Sequence, residues 1–217
     1  MDSSITRALY RDIIDFAHTT PSWVRHLAEL WTEAGLLLFG VLFLVAWWRS
    51  RTGELRAIAL AVLAPLVTAA GYVVSESLKS LVDEERPCRT VTEAAASLVP
   101  CPPYGDWSFP SNHSAIAGAA AVALAIAWPR IAVLTLPMAL LMAFSRVFVG
   151  VHYPHDVLTG LVVGALVAAV CATALLRPVR ALLGAMRASR IGIVLWFAGP
   201  GPLPRPAHET THAARVP

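Results

Sequence analysis

Lysine is all but missing from this chain: Lys79 is the only one, and the rest of the 17 basic residues are arginines. Charge of either sign is scarce, at 14% of 217 residues, where a soluble domain carries about 25%. Hydrophobic residues make up 57%, mean hydropathy is +0.63, and the apolar residues gather in runs of membrane length. Together these features exclude an ordinary soluble domain and predict one integral membrane domain. A nucleic-acid partner is excluded despite a pI near 9.0, because the arginines sit in short loops between apolar runs and not along one face. An apolar signal-peptide core is also missing: Arg7, Arg11, Asp12, Asp15, Arg25 and Glu29 break up the first thirty residues, so no cleavable leader is expected. Cysteine is rare, with 3 in the chain. Cys171 lies in an apolar run, while Cys88 and Cys101 bracket a polar loop; if that loop faces an oxidising compartment, a disulfide between them is expected.

The apolar runs predict an all-α bundle of about five transmembrane helices: 30–48, 57–78, 112–128, 131–148 and 156–176. Residues 1–29 form an N-terminal segment in which Ile5, Leu9, Ile13 and Phe16 recur at helical spacing, the pattern of an interfacial amphipathic helix. Thr20 and Pro21 read as the N-cap and first position of the next helix. The membrane domain spans 30–178, with Trp31, Trp47 and Trp48 at the ends of the first span as an aromatic belt places them. Residues 179–217 form a C-terminal segment. Its apolar piece Ile191 to Gly199 is too short to cross a bilayer, and disorder is expected from about 199. In this topology Arg49, Arg51, Arg56, Arg130, Arg177, Arg180, Arg187 and Arg190 fall on one side, joined by Arg205 and Arg215 of the tail. The positive-inside rule then makes that side cytoplasmic, with the N-terminus outside a multi-pass plasma (inner) membrane.

The same topology gathers three polar islands at the outer face. The first holds Lys79 and, seven residues on, Arg86 before Pro87. An arginine grips two phosphate oxygens at once and a lysine acts as a point charge, although a boundary lysine can also simply snorkel. The second is Pro110-Ser111-Asn112-His113, where Ser111 or Asn112 caps a helix whose first-turn amides make an anion site. Capping alone leaves His113 unexplained, an ionisable ring able to protonate a leaving group. The third runs from Ser145-Arg146 to His152, His155 and Asp156. Asp156 is four residues beyond His152, close enough to bond one ring nitrogen and leave the other to attack. Helix capping by His152 and Asp156, or a metal site of His152, His155 and Asp156, are the competing readings. The three converging cations oppose a divalent metal. Glu33, Glu76 and the run Asp83-Glu84-Glu85 read as boundary and loop solvation, with the run able to temper the positive pocket. His155 reads as a neighbour of the site.

Lys79-x6-Arg86-Pro87, Pro110-Ser111-Asn112-His113 and Ser145-Arg146-x5-His152-x3-Asp156 resemble the three motifs of the type 2 phosphatidic acid phosphatase superfamily, across about Gly71 to Leu176. The resemblance implies phosphate binding by Lys79, Arg86, Ser111, Asn112 and Arg146. It also implies a general acid in His113, a nucleophile in His152 that forms a phosphohistidine, and an orienting partner in Asp156, with no metal or other cofactor. Asn112 stands where the family usually has glycine. The small bacterial members point to a lipid phosphate substrate held at the bilayer surface, foremost undecaprenyl diphosphate. Phosphatidylglycerol phosphate, phosphatidic acid and polyprenyl-phospho-sugar phosphates are the alternatives within the class, and a non-catalytic lipid-phosphate binder is the alternative outside it.

Overall fold

The computed structural model describes residues 4–202. Their order is α1 (Ser4–Thr19), α2 (Ser22–Ser50), α3 (Leu55–Lys79), α4 (Pro87–Thr90), α5 (Asn112–Ala127), a 3-10 turn (Pro129–Ile131), α6 (Ala132–Phe148), α7 (Pro154–Arg187) and α8 (Gly192–Ala198). The segments of α2, α3, α7 and Pro129–Phe148 are long and apolar enough to cross a membrane, whereas α5 is shorter. Sixteen residues of α5 span about 24 Å, less than a hydrocarbon core of about 30 Å. α5 is instead the axis of the bundle, packed against α2, α3, α6 and α7, with Ala115, Ala117, Ala119, Ala120 and Leu124 fully buried. The outer faces are apolar: Leu44, Leu140, Leu158, Leu166 and Val170 are all exposed, as a lipid-facing surface requires.

Small residues set how closely the central helices approach. A Cβ on Gly164 would lie 2.0 Å from the carbonyl oxygen of Ala115, and one on Gly160 would lie 2.4 Å from that of Ser111. From the opposite helix, a Cβ on Gly118 would meet the Leu161 carbonyl at 2.5 Å. The Gly160-x3-Gly164 spacing thus lets α7 lie directly on α5, as small residues do in membrane helix pairs. This contact brings the N-terminus of α5 to that of α7, where the Ser111 amide donates to the Asp156 carbonyl at 3.1 Å. Gly164→Leu is expected to separate the two helices at a cost of about 3 kcal/mol or more. A fall in thermal unfolding temperature together with loss of phosphatase activity would report it, and a variant with wild-type values would refute this account of the packing.

Several boundaries differ from those expected. α2 begins at Ser22 and runs unbroken into the first span, while the Thr20 hydroxyl donates back to the Ala17 carbonyl and so closes α1. α7 continues through Pro178 to Arg187, because Leu183 packs with Ile58, Ala59 and Ala198. α1 buries Tyr10, Ile14 and Ala17 against α6 and α7, leaving Leu9 and Phe16 exposed. Its protein-facing stripe is therefore offset from the apolar spacing seen in the sequence. α8 falls within the Ile191 to Gly199 piece. The first residues of the expected disordered tail are held, since Gly199 donates to Leu195 and Gly201 to the Arg51 carbonyl. Residues 203–217, the rest of that tail, lie outside the described residues.

Candidate active site

One end of the bundle collects the C-terminal ends of α3 and α6 and the N-terminal ends of α5 and α7. The loop between α3 and α5 closes over it, pinned by a Cys88–Cys101 disulfide across 13 residues. The Leu98 amide bonds the Val149 carbonyl, and the Ser108 amide bonds the Glu84 carbonyl.

The spacing from Arg146 to Asp156 has a local cause. α6 ends in a Schellman turn: Val151 N–H returns to the Arg146 carbonyl and Gly150 N–H to that of Val147. Gly150 takes the required positive φ of 86°, a conformation that disfavours any side chain. The turn delivers His152 to the buried interior. Tyr153 then takes the N-cap position of α7, Pro154 is its first residue, and Asp156 its third. A carboxylate at that position can reach back to the N-cap amide, and Asp156 Oδ2 accepts from Tyr153 N–H at 2.8 Å. The same oxygen lies 3.3 Å from His152 Nδ1.

His152 and Asp156 are 2% and 0% exposed, a depth at which both must be partnered. The other ring nitrogen, Nε2, is 3.1 Å from Arg86 Nη1. A guanidinium can only donate, so Nε2 carries a lone pair and the proton resides on Nδ1 toward Asp156. Burial, followed by the charges of Arg86, Arg146 and Lys79, holds His152 well below the usual histidine range. A neutral ring with a free Nε2 lone pair is the form that can act as a nucleophile.

Around this nitrogen stand the three cations expected from the motifs. Lys79, Arg86 and Arg146 are 5%, 3% and 6% exposed. Arg86 also donates to the Val151 carbonyl. Arg146 Nη1 donates to Thr32 at 2.9 Å, and Glu33, an exposed carboxylate, stands 4.0 Å from the same atom. Arg146 Nε is buried with no hydrogen-bond partner. A buried donor left so costs about 1–3 kcal/mol, and an anion at this point would satisfy it. His113 is within electrostatic range of Arg146, Lys79 and Arg86. Ser111 is fully buried at the N-cap of α5. The first helical amide bonded back is that of Ala115, so the amides of Asn112, His113 and Ser114 precede it.

The Asn112 side chain has partners of its own. Its Oδ1 accepts from Ser75 at 2.7 Å and its Nδ2 donates to Glu76, so the side chain is committed to α3. Only its backbone amide is left for an anion, which makes Asn112 equivalent to the usual glycine there. The same bond gives Glu76 a tertiary role beyond boundary solvation.

Three participants were not singled out from the sequence. The Ser108 hydroxyl donates to Asp156 Oδ2 at 2.5 Å. Thr32 supports Arg146 from α2. Asp106 accepts from Lys79 at 3.0 Å and from Arg86 at 2.8 Å. Burial alone would push the Asp106 carboxyl up, but the Lys79 hydrogen bond and the two positive charges outweigh it and hold it below the usual range. A carboxylate thus shares the donors that a phosphate would need. Among the described residues, the grouping with metal-ligand spacing is Glu84, His155 and Asp156, within 4.8 Å of one another. His152 is not part of it, contrary to the metal reading weighed above, because its free nitrogen faces a guanidinium.

An all-helical membrane bundle with a buried histidine–carboxylate pair under a cluster of cations defines a class of phosphate-handling membrane protein. Residues 58–180 match the PAP2 superfamily, and the chain belongs to it. By that membership it is a membrane lipid phosphatase that needs no metal. It is 32% identical over 164 residues to lipid A 1-phosphatase of Rhizobium johnstonii, covering 69% of this chain and 67% of that one. It is 31% identical over 143 residues to the undecaprenyl-diphosphatase BcrC of Bacillus subtilis, covering 63% and 67%. A decaprenylphosphoryl-5-phosphoribose phosphatase of Mycobacterium tuberculosis is 39% identical over 111 residues, covering 48% and 58%. Among solved structures, Aquifex aeolicus LpxE superposes with a TM-score of 0.60 at 23% identity, over 78% of this chain and 95% of that one. A PAP2-type phosphatidylglycerolphosphate phosphatase from Bacillus subtilis gives 0.58 at 22%, over 78% and 85%. Both share the fold.

Proposed function

We propose that this enzyme removes the terminal phosphate of a polyprenyl diphosphate, undecaprenyl diphosphate in the first instance, at the outer face of the plasma membrane. The observation that carries the chemistry is His152: buried, neutral, bonded to Asp156 through Nδ1, with its Nε2 lone pair turned to the cations. As a phosphate enters, its oxygens take the donors of Lys79, Arg86 and Arg146 and the first-turn amides of α5, displacing Asp106. Arg86 then releases Nε2, which attacks phosphorus. The bond to the bridging oxygen breaks, His113 protonates that oxygen, and the lipid monophosphate departs. Asp156 stabilises the charge that develops on the phosphorylated imidazole. Water then attacks the phosphohistidine, its proton passing to His113, and inorganic phosphate leaves.

The lipid chain stays in the bilayer, which fits a pocket at the membrane end of apolar helices. The outer orientation rests on the arginines at the opposite end and on the disulfide in the loop over the site, a bond that persists in oxidising compartments. The likeness to BcrC supports the polyprenyl diphosphate. The longer match to lipid A 1-phosphatase supports a second substrate, the 1-phosphate of lipid A.

The test is phosphate release by the detergent-purified protein with chelator present, on undecaprenyl diphosphate, lipid A, phosphatidylglycerol phosphate and phosphatidic acid. The expected result is a kcat/KM at least tenfold higher on undecaprenyl diphosphate than on the others. A preference for lipid A would replace the first assignment with the second, and silence on every lipid would favour a binder.

A further inference from the structure

Asp156 has two oxygens, and the chemistry described above uses only Oδ2. That oxygen is held by Tyr153 N–H at 2.8 Å and Ser108 Oγ at 2.5 Å, with His152 Nδ1 at 3.3 Å. Oδ1 is buried and makes no directed hydrogen bond. Its polar neighbour is His155 Nε2, 3.1 Å away. The same nitrogen lies 3.1 Å from each carboxylate oxygen of Glu84. The N–H is thus aimed at Glu84 and approaches Oδ1 as an ionic contact.

The His155 ring is itself fixed. It stacks on Tyr153 with centroids 5.3 Å apart and planes 15° apart, and Phe109 lies 5.9 Å away. Tyr153 is anchored in turn through its hydroxyl, 2.6 Å from Thr90 Oγ1. Glu84 acts on both oxygens of Asp156. Its side chain holds His155 toward Oδ1, and its backbone carbonyl accepts the Ser108 amide at 2.7 Å, placing the hydroxyl that grips Oδ2.

We propose that His155, held by Glu84, is a positioning residue that acts through Asp156 to fix His152. The inference rests on the assignment of His152 as nucleophile and Asp156 as its partner. A carboxylate restrained at one oxygen can still turn about its terminal torsion, and a fully buried one lacks water to balance its charge. With His155 at Oδ1, Oδ2 stays on the His152 side and the imidazole keeps the tautomer and aim that attack needs. Without it the nucleophile is misdirected, although the cations that bind phosphate are untouched. Small misplacements of reacting groups cost on the order of 10²-fold in rate.

The test uses the full chain in detergent with chelator, on the preferred lipid phosphate, with His155→Leu, His155→Gln and Glu84→Gln. Inorganic phosphate serves as a competitive inhibitor that reports the cationic pocket. His155→Leu is expected to lower kcat by about 10- to 100-fold while KM and the phosphate inhibition constant stay within twofold. His155→Gln keeps an N–H donor at a similar reach and is expected to recover most of kcat. Glu84→Gln should fall between them. The proposal is overturned if His155→Leu keeps kcat within twofold of wild type. It is equally overturned if the loss comes with weakened phosphate inhibition and no recovery in His155→Gln, the pattern of a merely structural residue. His152→Ala separates the two levels: an active His152→Ala would sink the nucleophile assignment itself, whereas an inactive one beside a fully active His155→Leu would sink only this inference.

Discussion

His152→Ala is expected to lower kcat by about 10⁴-fold or more, the scale seen when the nucleophile of a covalent mechanism is removed, while inorganic phosphate still inhibits or binds with wild-type affinity. The two halves of the result follow from the geometry. The ring offers the Nε2 lone pair, and no other described side chain presents an uncharged nitrogen at that point. In the proposed mechanism phosphate affinity resides elsewhere, in Lys79, Arg86, Arg146 and the α5 amides. Arg86 also keeps its other partners when the ring is gone, because its Nε and Nη2 remain on Asp106 and its Nη1 on the Val151 carbonyl. Phosphate binding by isothermal titration beside turnover measures both halves. Lost binding together with lost turnover would mean that His152 shapes the pocket and does not react.

Arg86→Ala is expected to damage activity and stability together. Its guanidinium joins four groups from two other parts of the chain: the Asp106 carboxylate and carbonyl, and the Val151 carbonyl with His152. Removing it leaves the Lys79–Asp106 pair alone and strands the Val151 carbonyl. Asp106 is half-exposed, so losing that ion pair costs about 1 kcal/mol or less, and the stranded buried carbonyl adds about 1–3 kcal/mol. A loss of kcat/KM of about 10³-fold is expected with it, since one strong anion-stabilising donor is typically worth about 10²- to 10³-fold. Arg86→Lys should restore charge but little activity, because one ammonium cannot span Asp106, Val151 and a phosphate as a planar fork does. Thermal unfolding and kcat/KM on the same preparations measure both effects. A stable, active Arg86→Ala would contradict the role given to this residue.

The candidate site was legible because its residues are out of place. In an apolar chain, Lys79, His113, Arg146, His152 and Asp156 at the ends of membrane runs stand out on cost alone, and Gly150 and Pro154 punctuate the turn that presents His152. The supporting residues carry no such mark. Ser108, Thr32 and Asp106 are ordinary polar residues in ordinary positions. Their contacts lie 48, 114 and 27 residues away along the chain, and no local spacing announces a tertiary hydrogen bond. The Asn112 side chain is a further case, since Ser75 and Glu76 on another helix hold it and nothing local announces that contact. In the fold, helix existence followed from the apolar runs, while ends did not. α7 passes through Pro178 because the helix beyond it has Ile58 and Ala59 to pack on. α1 turns Tyr10 inward because the Gly150 carbonyl, 140 residues away, accepts its hydroxyl at 3.0 Å.

The most direct test of covalent histidine chemistry is to trap the intermediate. The enzyme is mixed with lipid substrate labelled at the terminal phosphate, quenched with alkali within one turnover, digested, and the labelled peptide sequenced by mass spectrometry. The account predicts an alkali-stable, acid-labile phosphate on His152, absent from His152→Ala. Label on another residue, or full turnover by an enzyme that never carries phosphate, would contradict it.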